Sequence, residues 1–140
     1  MSRPLQKAAD TKRREDKQRL AVRARDAKLG CRLERRLMSG KWVTCGKKDA
    51  HDTAHIIRRA QCGKVWDDVR VALLACRTCH SNLDGNVTTG DPIYEVRVPY
   101  DLALEAYEFV CANTKTTPYA RYNPDENGLY KDLLIGRGVA

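Results

Sequence analysis

Residues 52–80 read DTAHIIRRAQCGKVWDDVRVALLACRTCH, from Asp52 to His80. Cys76 and Cys79 are two residues apart, a spacing that lets two thiolates grip one metal ion. His55 lies ahead of them in an apolar run, Ala54-His55-Ile56-Ile57, and His80 follows Cys79 directly. A single histidine in an apolar run is most often a satisfied core residue. A second histidine beside the knuckle, with Asp52 and Asp84 as polar groups that the knuckle brings near, suggests a second metal that does chemistry.

The chain has six cysteines: Cys31, Cys45, Cys62, Cys76, Cys79 and Cys111. The N-terminus lacks the apolar core of a secretory signal, so a reducing, cytoplasmic setting is expected and thiolates on zinc are favoured over disulfides. The rival, a redox Cys-x2-Cys, wants a βαβ context that the pattern does not offer. Cys31, Cys45, Cys76 and Cys79 are the expected zinc ligands. The gap of thirteen residues between Cys31 and Cys45 is not a knuckle, and Trp42 stands where a close partner for Cys45 would be. Cys62 and His51 are therefore alternatives to Cys31. Cys111, on an apolar helical face, reads as core.

Length and charge bound the rest. A chain of 140 residues suffices for one domain with a modest core, to which bound zinc adds folding energy. No apolar run approaches the ~20 residues of a membrane span. Net charge is +8, with most of the excess between Lys7 and Arg36, which favours a polyanionic partner, nucleic acid first. Arg58 and Arg59 follow His55 directly, and arginine meets phosphate in a two-pronged geometry. Lys64 and Arg70 complete the expected nucleic-acid contacts.

Along the chain, residues 1–9 read as disordered. Asp10 to Lys28 lacks Gly and Pro and reads as a helix capped at Asp10 or Thr11, with a thin apolar stripe of Leu20, Val22 and Ala24. Such a helix packs weakly and presents charge; Gly30 ends it. A turn at 38–40 precedes a strand at 41–44, and 53–57 reads as a buried strand. Residues 58–68 form a polar loop anchored by Trp66. Residues 69–75 are ambiguous between strand and helix. A short helix opens at Arg77 and stops near Gly85. A strand over 93–98 and a helix over 101–113 follow, the helix with Leu102, Ala106, Phe109 and Val110 on one face. Residues 118–128 are turn-rich, and 130–135 form a last short element. Tyr119, Tyr122 and Tyr130 cover the core or stack on bases.

The run AHIIRR followed by ALLACRTCH resembles the HNH endonucleases that carry a four-cysteine zinc site, in particular the small ones of phage genomes. The likeness covers roughly residues 31–85. It implies an α+β fold with a ββα-metal core and a structural zinc, flanked by N- and C-terminal helices. The divisions expected are 1–30 as a basic helical extension, 31–90 as the core and 91–140 as a C-terminal extension. The resemblance also implies metal-dependent hydrolysis of DNA phosphodiesters. His55 takes the place of the general base, and His80 is the best ligand for a catalytic Mg²⁺ or Mn²⁺, with Asp52 as a further ligand and Asp84 as an additional site acid.

The chain departs from that pattern at two places. Ala54 stands where the family has an acidic or His ligand, and Val71, beside Arg70, stands where it has its Asn. Asn82 and Asp84 are the polar groups offered instead. Implied partners are DNA and phage or host DNA-processing proteins, in the host cytoplasm if the chain is phage-encoded, with no membrane. The alternative is a zinc-knuckle protein that grips nucleic acid without cutting it.

Overall fold

In a computed structural model, residues 3–84 and 94–115 are described. The fold is α+β: a long N-terminal helix, two small antiparallel sheets, a short helix after the Cys-x2-Cys knuckle and a C-terminal helix. The expected elements over 118–128 and 130–135, with Tyr119, Tyr122 and Tyr130, lie outside the described residues.

Helix α1 spans Arg3–Asp26, so the segment read as disordered is helical from Arg3 onward and neither Asp10 nor Thr11 caps it. Pro4 falls in the first turn, where a missing N–H costs no hydrogen bond. The expected apolar stripe does not attach this helix. Leu20 is 61 % exposed and Ala24 is exposed, leaving Val22 as the buried apolar residue. Polar side chains do the rest. Arg14 pairs with Asp67 at 2.8 and 2.9 Å, Gln18 bonds two backbone carbonyls, and Arg25 donates to the carbonyls of Val69 and Ala72 at 2.7 and 2.6 Å. Positions 14, 18, 22 and 25 recur at helical spacing, so they share one face, and that face lies along residues 64–72.

After α1 the chain turns through residues 27–30, with the amides of Leu29 and Gly30 both donating to the Asp26 carbonyl. Gly30 has φ +77°, and a Cβ placed there would lie 2.7 Å from the carbonyl oxygens of both Gly46 and Lys47. Backbone atoms cannot swing aside as a side chain does. Gly30→Ala is therefore expected to cost about 2–4 kcal/mol through left-handed strain plus displacement of the loop that follows Cys45. Urea unfolding of the metal-loaded variant checks this, and a midpoint equal to wild type would refute it.

Strands β1 (Glu34–Arg36) and β2 (Trp42–Thr44) form an antiparallel hairpin about the turn at 38–40, with Arg35 opposite Val43. Strands β3 (Asp52–His55) and β4 (Ala72–Ala75) form the second sheet, with Asp52 opposite Ala75 and His55 opposite Ala72. The ambiguous stretch 69–75 resolves into a 3-10 turn over Val69–Val71 followed by β4, every residue of which is buried. The loop 58–68 contains two further 3-10 turns, Arg59–Gln61 and Gly63–Val65. Helix α2 (Arg77–Asp84) follows β4 at once. Strand β5 (Val96–Arg97) pairs with β1 and completes the sheet of the hairpin.

Helix α3 (Tyr100–Asn113) buries Ala103, Ala106, Tyr107 and Val110, at i, i+3, i+4 and i+7. This face is rotated from the expected one: Leu102 and Phe109 sit at its edge, half-buried. Cys111 is exposed, contrary to its reading as core, because one residue past Val110 lies about 100° round the helix. The core joins Val22, Leu33, Ile56, Ile57, Leu73, Leu74 and Val96 to the buried face of α3.

Candidate functional site

Two structures are built on this frame, a thiol cluster and a cleft. Cys31 precedes β1, Cys45 follows β2, Cys76 follows β4, and Cys79 lies in the first turn of α2. Antiparallel pairing of the hairpin closes the thirteen-residue gap that made the first pair look weak: its two ends return to one point. The amide of Gly46 donates to the Cys31 carbonyl at 3.0 Å and the amide of Cys31 to the Lys47 carbonyl at 2.9 Å, locking that base. The amide of Arg32 donates to Leu74 at 2.9 Å, which ties the hairpin base to β4.

The four Sγ atoms lie within 4.8 Å of one another. A tetrahedron of thiolates on zinc, with Zn–S near 2.3 Å, has edges of about 3.8 Å, and the Cys45–Cys76 pair stands at 4.0 Å. The cluster is therefore suited to hold a metal ion such as zinc. Among the described residues no other group of histidines, cysteines and acids gathers three or more ligand atoms in this way. The alternatives to Cys31 lie elsewhere. Cys62 donates to the carbonyls of Ile57 and Arg58 at 3.5 and 3.4 Å, and burial pushes its thiol up to about 11. His51 is exposed and pairs with Asp49.

The thiols also report their crowding. Hydrogen bonds from the Cys31 and Cys79 thiols drive Cys76 down to about 2, while Cys31 is held up to about 12, first by its bond to Cys76, and Cys79 is raised by Cys31 and Cys76. Four thiolates at this spacing need a cation among them. The Cys79 amide donates to Cys76 Sγ at 3.4 Å, and the Tyr94 hydroxyl lies 3.2 Å from Cys79 Sγ. Both contacts suit a cluster in its ionised form. Asn82, expected as a polar group of the catalytic centre, belongs to this support instead. Its Nδ2 donates to the Thr78 carbonyl at 2.8 Å and its Oδ1 accepts from the Tyr94 amide at 3.1 Å.

The cleft, of about 510 Å³, lies between α1 and the edge of the second sheet. His55, Asp52, Thr53, His80 and Arg77 line one side, and Lys12, Glu15, Asp16, Gln18 and Arg19 of α1 line the other, with Arg59 at the rim. Asp52 opens β3, where it faces α2. Its Oδ2 lies 2.9 Å from His80 Nδ1 and 3.3 Å from Arg77 Nη1. Asp84, one turn beyond His80 on α2, places its Oδ2 at 3.2 Å from His80 Nε2. Both edges of the His80 ring therefore meet a carboxylate. Two carboxylates and an imidazole are donors that Mg²⁺ or Mn²⁺ accepts. Here they are strung along the ring rather than gathered on one point, so His80 with Asp52 is the closest pair.

His55 ends β3 with its Nε2 at 3.3 Å from the carbonyl oxygen of Trp66. A carbonyl only accepts, so this nitrogen carries the proton and the lone pair of the neutral ring sits on Nδ1. Trp66 is held between two guanidinium groups, Arg59 at 3.6 Å and Arg14 at 4.6 Å from its ring centre.

The basic residues divide by location. Arg59 borders the cleft and pairs with Glu15 at 2.8 Å. Arg58 is exposed. Lys64 faces a separate hollow beside the end of α3, and Arg70 pairs with Asp68 at 2.9 Å and stacks on Phe109 at 3.8 Å. Lys12, Arg19 and Arg77 stand in the cleft although the reading of the sequence did not single them out; only the tertiary fold brings α1 over β3. Each is paired with an acid, Asp16 or Asp52, at 3.2–3.3 Å. Such part-exposed pairs contribute about 0–1 kcal/mol, so a phosphate can take their place.

No helix among the described residues is long and apolar enough to cross a membrane. No family model, curated protein or solved structure gives a significant match to this chain.

Proposed function

We propose that this protein is a metal-dependent DNA endonuclease of the HNH type, with β3, β4 and α2 as its ββα element and a structural zinc on Cys31, Cys45, Cys76 and Cys79. The observation that carries the reading is one cleft lined by His55, Asp52 and His80 and bordered by Arg19, Arg59 and Arg77. Its open shape suits a duplex backbone, which needs no deep pocket.

In this reading Arg19, Arg59 and Arg77 exchange their carboxylate partners for phosphate oxygens and set the backbone along the cleft. His55, anchored at Nε2, accepts a proton at Nδ1 from the attacking water. His80 and Asp52 would hold the Mg²⁺ or Mn²⁺ ion, with Asp84 keeping the His80 ring in place. When bound, such an ion supplies Lewis acidity at the phosphate and at the departing oxygen. The products are a 3′-hydroxyl and a 5′-phosphate.

His55→Ala is expected to lower plasmid nicking about 10²–10⁴-fold with DNA affinity and zinc content unchanged. Nicking at the wild-type rate by that variant would refute the mechanism. One observation favours a second reading, nucleic-acid binding without cleavage: both ring nitrogens of His80 are engaged by carboxylates. Salt-sensitive DNA binding with no nicking in Mg²⁺, Mn²⁺ or Ni²⁺ would select it.

A further inference from the structure

We propose that Gln18 is a positioning residue for His55, acting through the backbone carbonyl of Trp66. This rests on the reading of His55 as the proton acceptor. Gln18 is 3 % exposed, on a helix whose other contacts with the body of the protein are mostly charged or apolar. Its Nε2 donates to the Trp66 carbonyl at 2.9 Å and to the Asp68 carbonyl at 3.0 Å. Both protons of the carboxamide are thus committed to one loop. His55 Nε2 meets the same Trp66 oxygen at 3.3 Å.

A carbonyl oxygen has two lone pairs and serves two donors at once. With Gln18 occupying one direction, His55 is left the other. Strand β3 sets where the His55 backbone lies, and its pairing with Ala72 says nothing about ring rotation. The Trp66 carbonyl constrains the ring at Nε2 and, because a carbonyl only accepts, favours the Nε2–H tautomer.

The carbonyl is itself held from several directions. The indole is clamped between Arg14 and Arg59. Arg14 also grips the next residue, Asp67, through two hydrogen bonds and reaches back to the Lys64 carbonyl at 3.0 Å. All of these except Arg59 come from α1. Filling the same volume with an apolar side chain would satisfy packing alone. A buried amide with both donors spent on backbone oxygens satisfies packing and fixes direction.

The test uses the full chain loaded with zinc. Gln18→Met keeps the length and removes both donors; Gln18→Glu keeps the shape and sets a carboxylate against the two carbonyls. Two quantities are read: steady-state nicking in Mn²⁺, and ¹⁵N shifts of the His55 ring, which distinguish the tautomers. For Gln18→Met the expected result is a fall in kcat of about 10–100-fold with KM within about twofold. The ring signals should move from the Nε2–H form towards a mixture. Gln18→Glu should move them further.

Wild-type kcat and an unmoved ring in folded Gln18→Met would overturn the proposal while leaving the nuclease reading intact. A ring that shifts in that variant, in a protein that shows no nicking in Mg²⁺, Mn²⁺ or Ni²⁺, would support the positioning role and defeat the nuclease reading. Where neither variant folds, the wild-type spectrum decides: an Nδ1–H tautomer at His55 overturns the proposal, and an Nε2–H tautomer supports it.

Discussion

Stripping the metal from the four-cysteine cluster, or replacing Cys76 with serine, is expected to unfold the protein at neutral pH. The cluster joins the base of the β1–β2 hairpin to the end of β4 and the start of α2, which otherwise share small, short strands. Strands of two to four residues make few ladder bonds, so their pairing depends on what fixes their ends. Zinc bound by thiolates contributes on the order of 10–16 kcal/mol to small metal-dependent domains, against a net stability of about 5–15 kcal/mol for a typical protein. Removing such a term leaves no stable fold. Cys76 is a telling position, because it joins β4 to α2 and its Sγ also accepts from the Cys79 amide at 3.4 Å. The check is circular dichroism with parallel zinc analysis during titration with a chelator. Loss of zinc with no change in the unfolding transition would show that the cluster is incidental to the fold.

The second large effect belongs to Asp26. Its side chain is fully buried and every acceptor direction is used. Arg25 approaches with two hydrogen bonds of 2.8 Å, Arg32 with one of 2.6 Å, and the Leu74 amide with one of 3.1 Å. One carboxylate thus fastens the last turn of α1 to the residue after Cys31 and to the middle of β4. Asp26→Asn removes the charge and leaves two partly buried guanidinium groups facing each other, at a cost of about 3–5 kcal/mol. Replacing Asp26, Arg25 and Arg32 together with apolar residues of similar volume should cost far less, since no charge is stranded. Equal losses in the single and triple variants, by urea unfolding, would show that the charge is irrelevant.

The pH dependence of this site has a definite sign. Burial raises the Asp26 carboxyl, but the Arg25 hydrogen bond and charge, the Leu74 amide and Arg32 outweigh it, and the carboxyl lies below its ordinary value. A group held lower in the folded state stabilises fully above its unfolded value of about 3.9, and that contribution drains away as pH falls towards the folded value. The advantage of the wild type over Asp26→Asn should be full at neutral pH and begin to shrink as pH falls below about 5, followed over the range in which zinc stays bound. Parallel pH profiles of the two would refute the assignment.

What could be read before folding was local chemistry. Cys76 and Cys79 are a pair by spacing alone, and a short helix opens at Arg77 as expected, whereas the apolar run over 69–75 fits strand or helix equally until β4 pairs with β3. Cys31 and Cys45 were named with them although the intervening residues give no knuckle, and the hairpin brings their ends together. His55, Asp52 and His80 share a cleft because β3 and α2 pack side by side, which the short separation of β3, β4 and α2 along the chain already favoured.

The attachment of α1 was illegible. Hydrophobic periodicity looks for an apolar stripe, and here the stripe is Arg14, Gln18, Val22 and Arg25, three of which read as solvent-facing. Nothing in the sequence around Asp26 marks it as buried. Asn82 is offered by the sequence only as a polar group near His80 in place of the family's Asn, and its bonds to Thr78 and Tyr94 come from the fold. Cys111 failed for a smaller reason, a face of α3 rotated by one residue.

By itself the sequence determined the four cysteines that gather into one cluster and the short elements around the knuckle, because ligand spacing and apolar patterning act over a few residues. The tertiary structure alone decided which partners those side chains meet. A polar group far along the chain is silent until folding removes its water, and only then does a carbonyl, a carboxylate or a guanidinium become the partner that satisfies it.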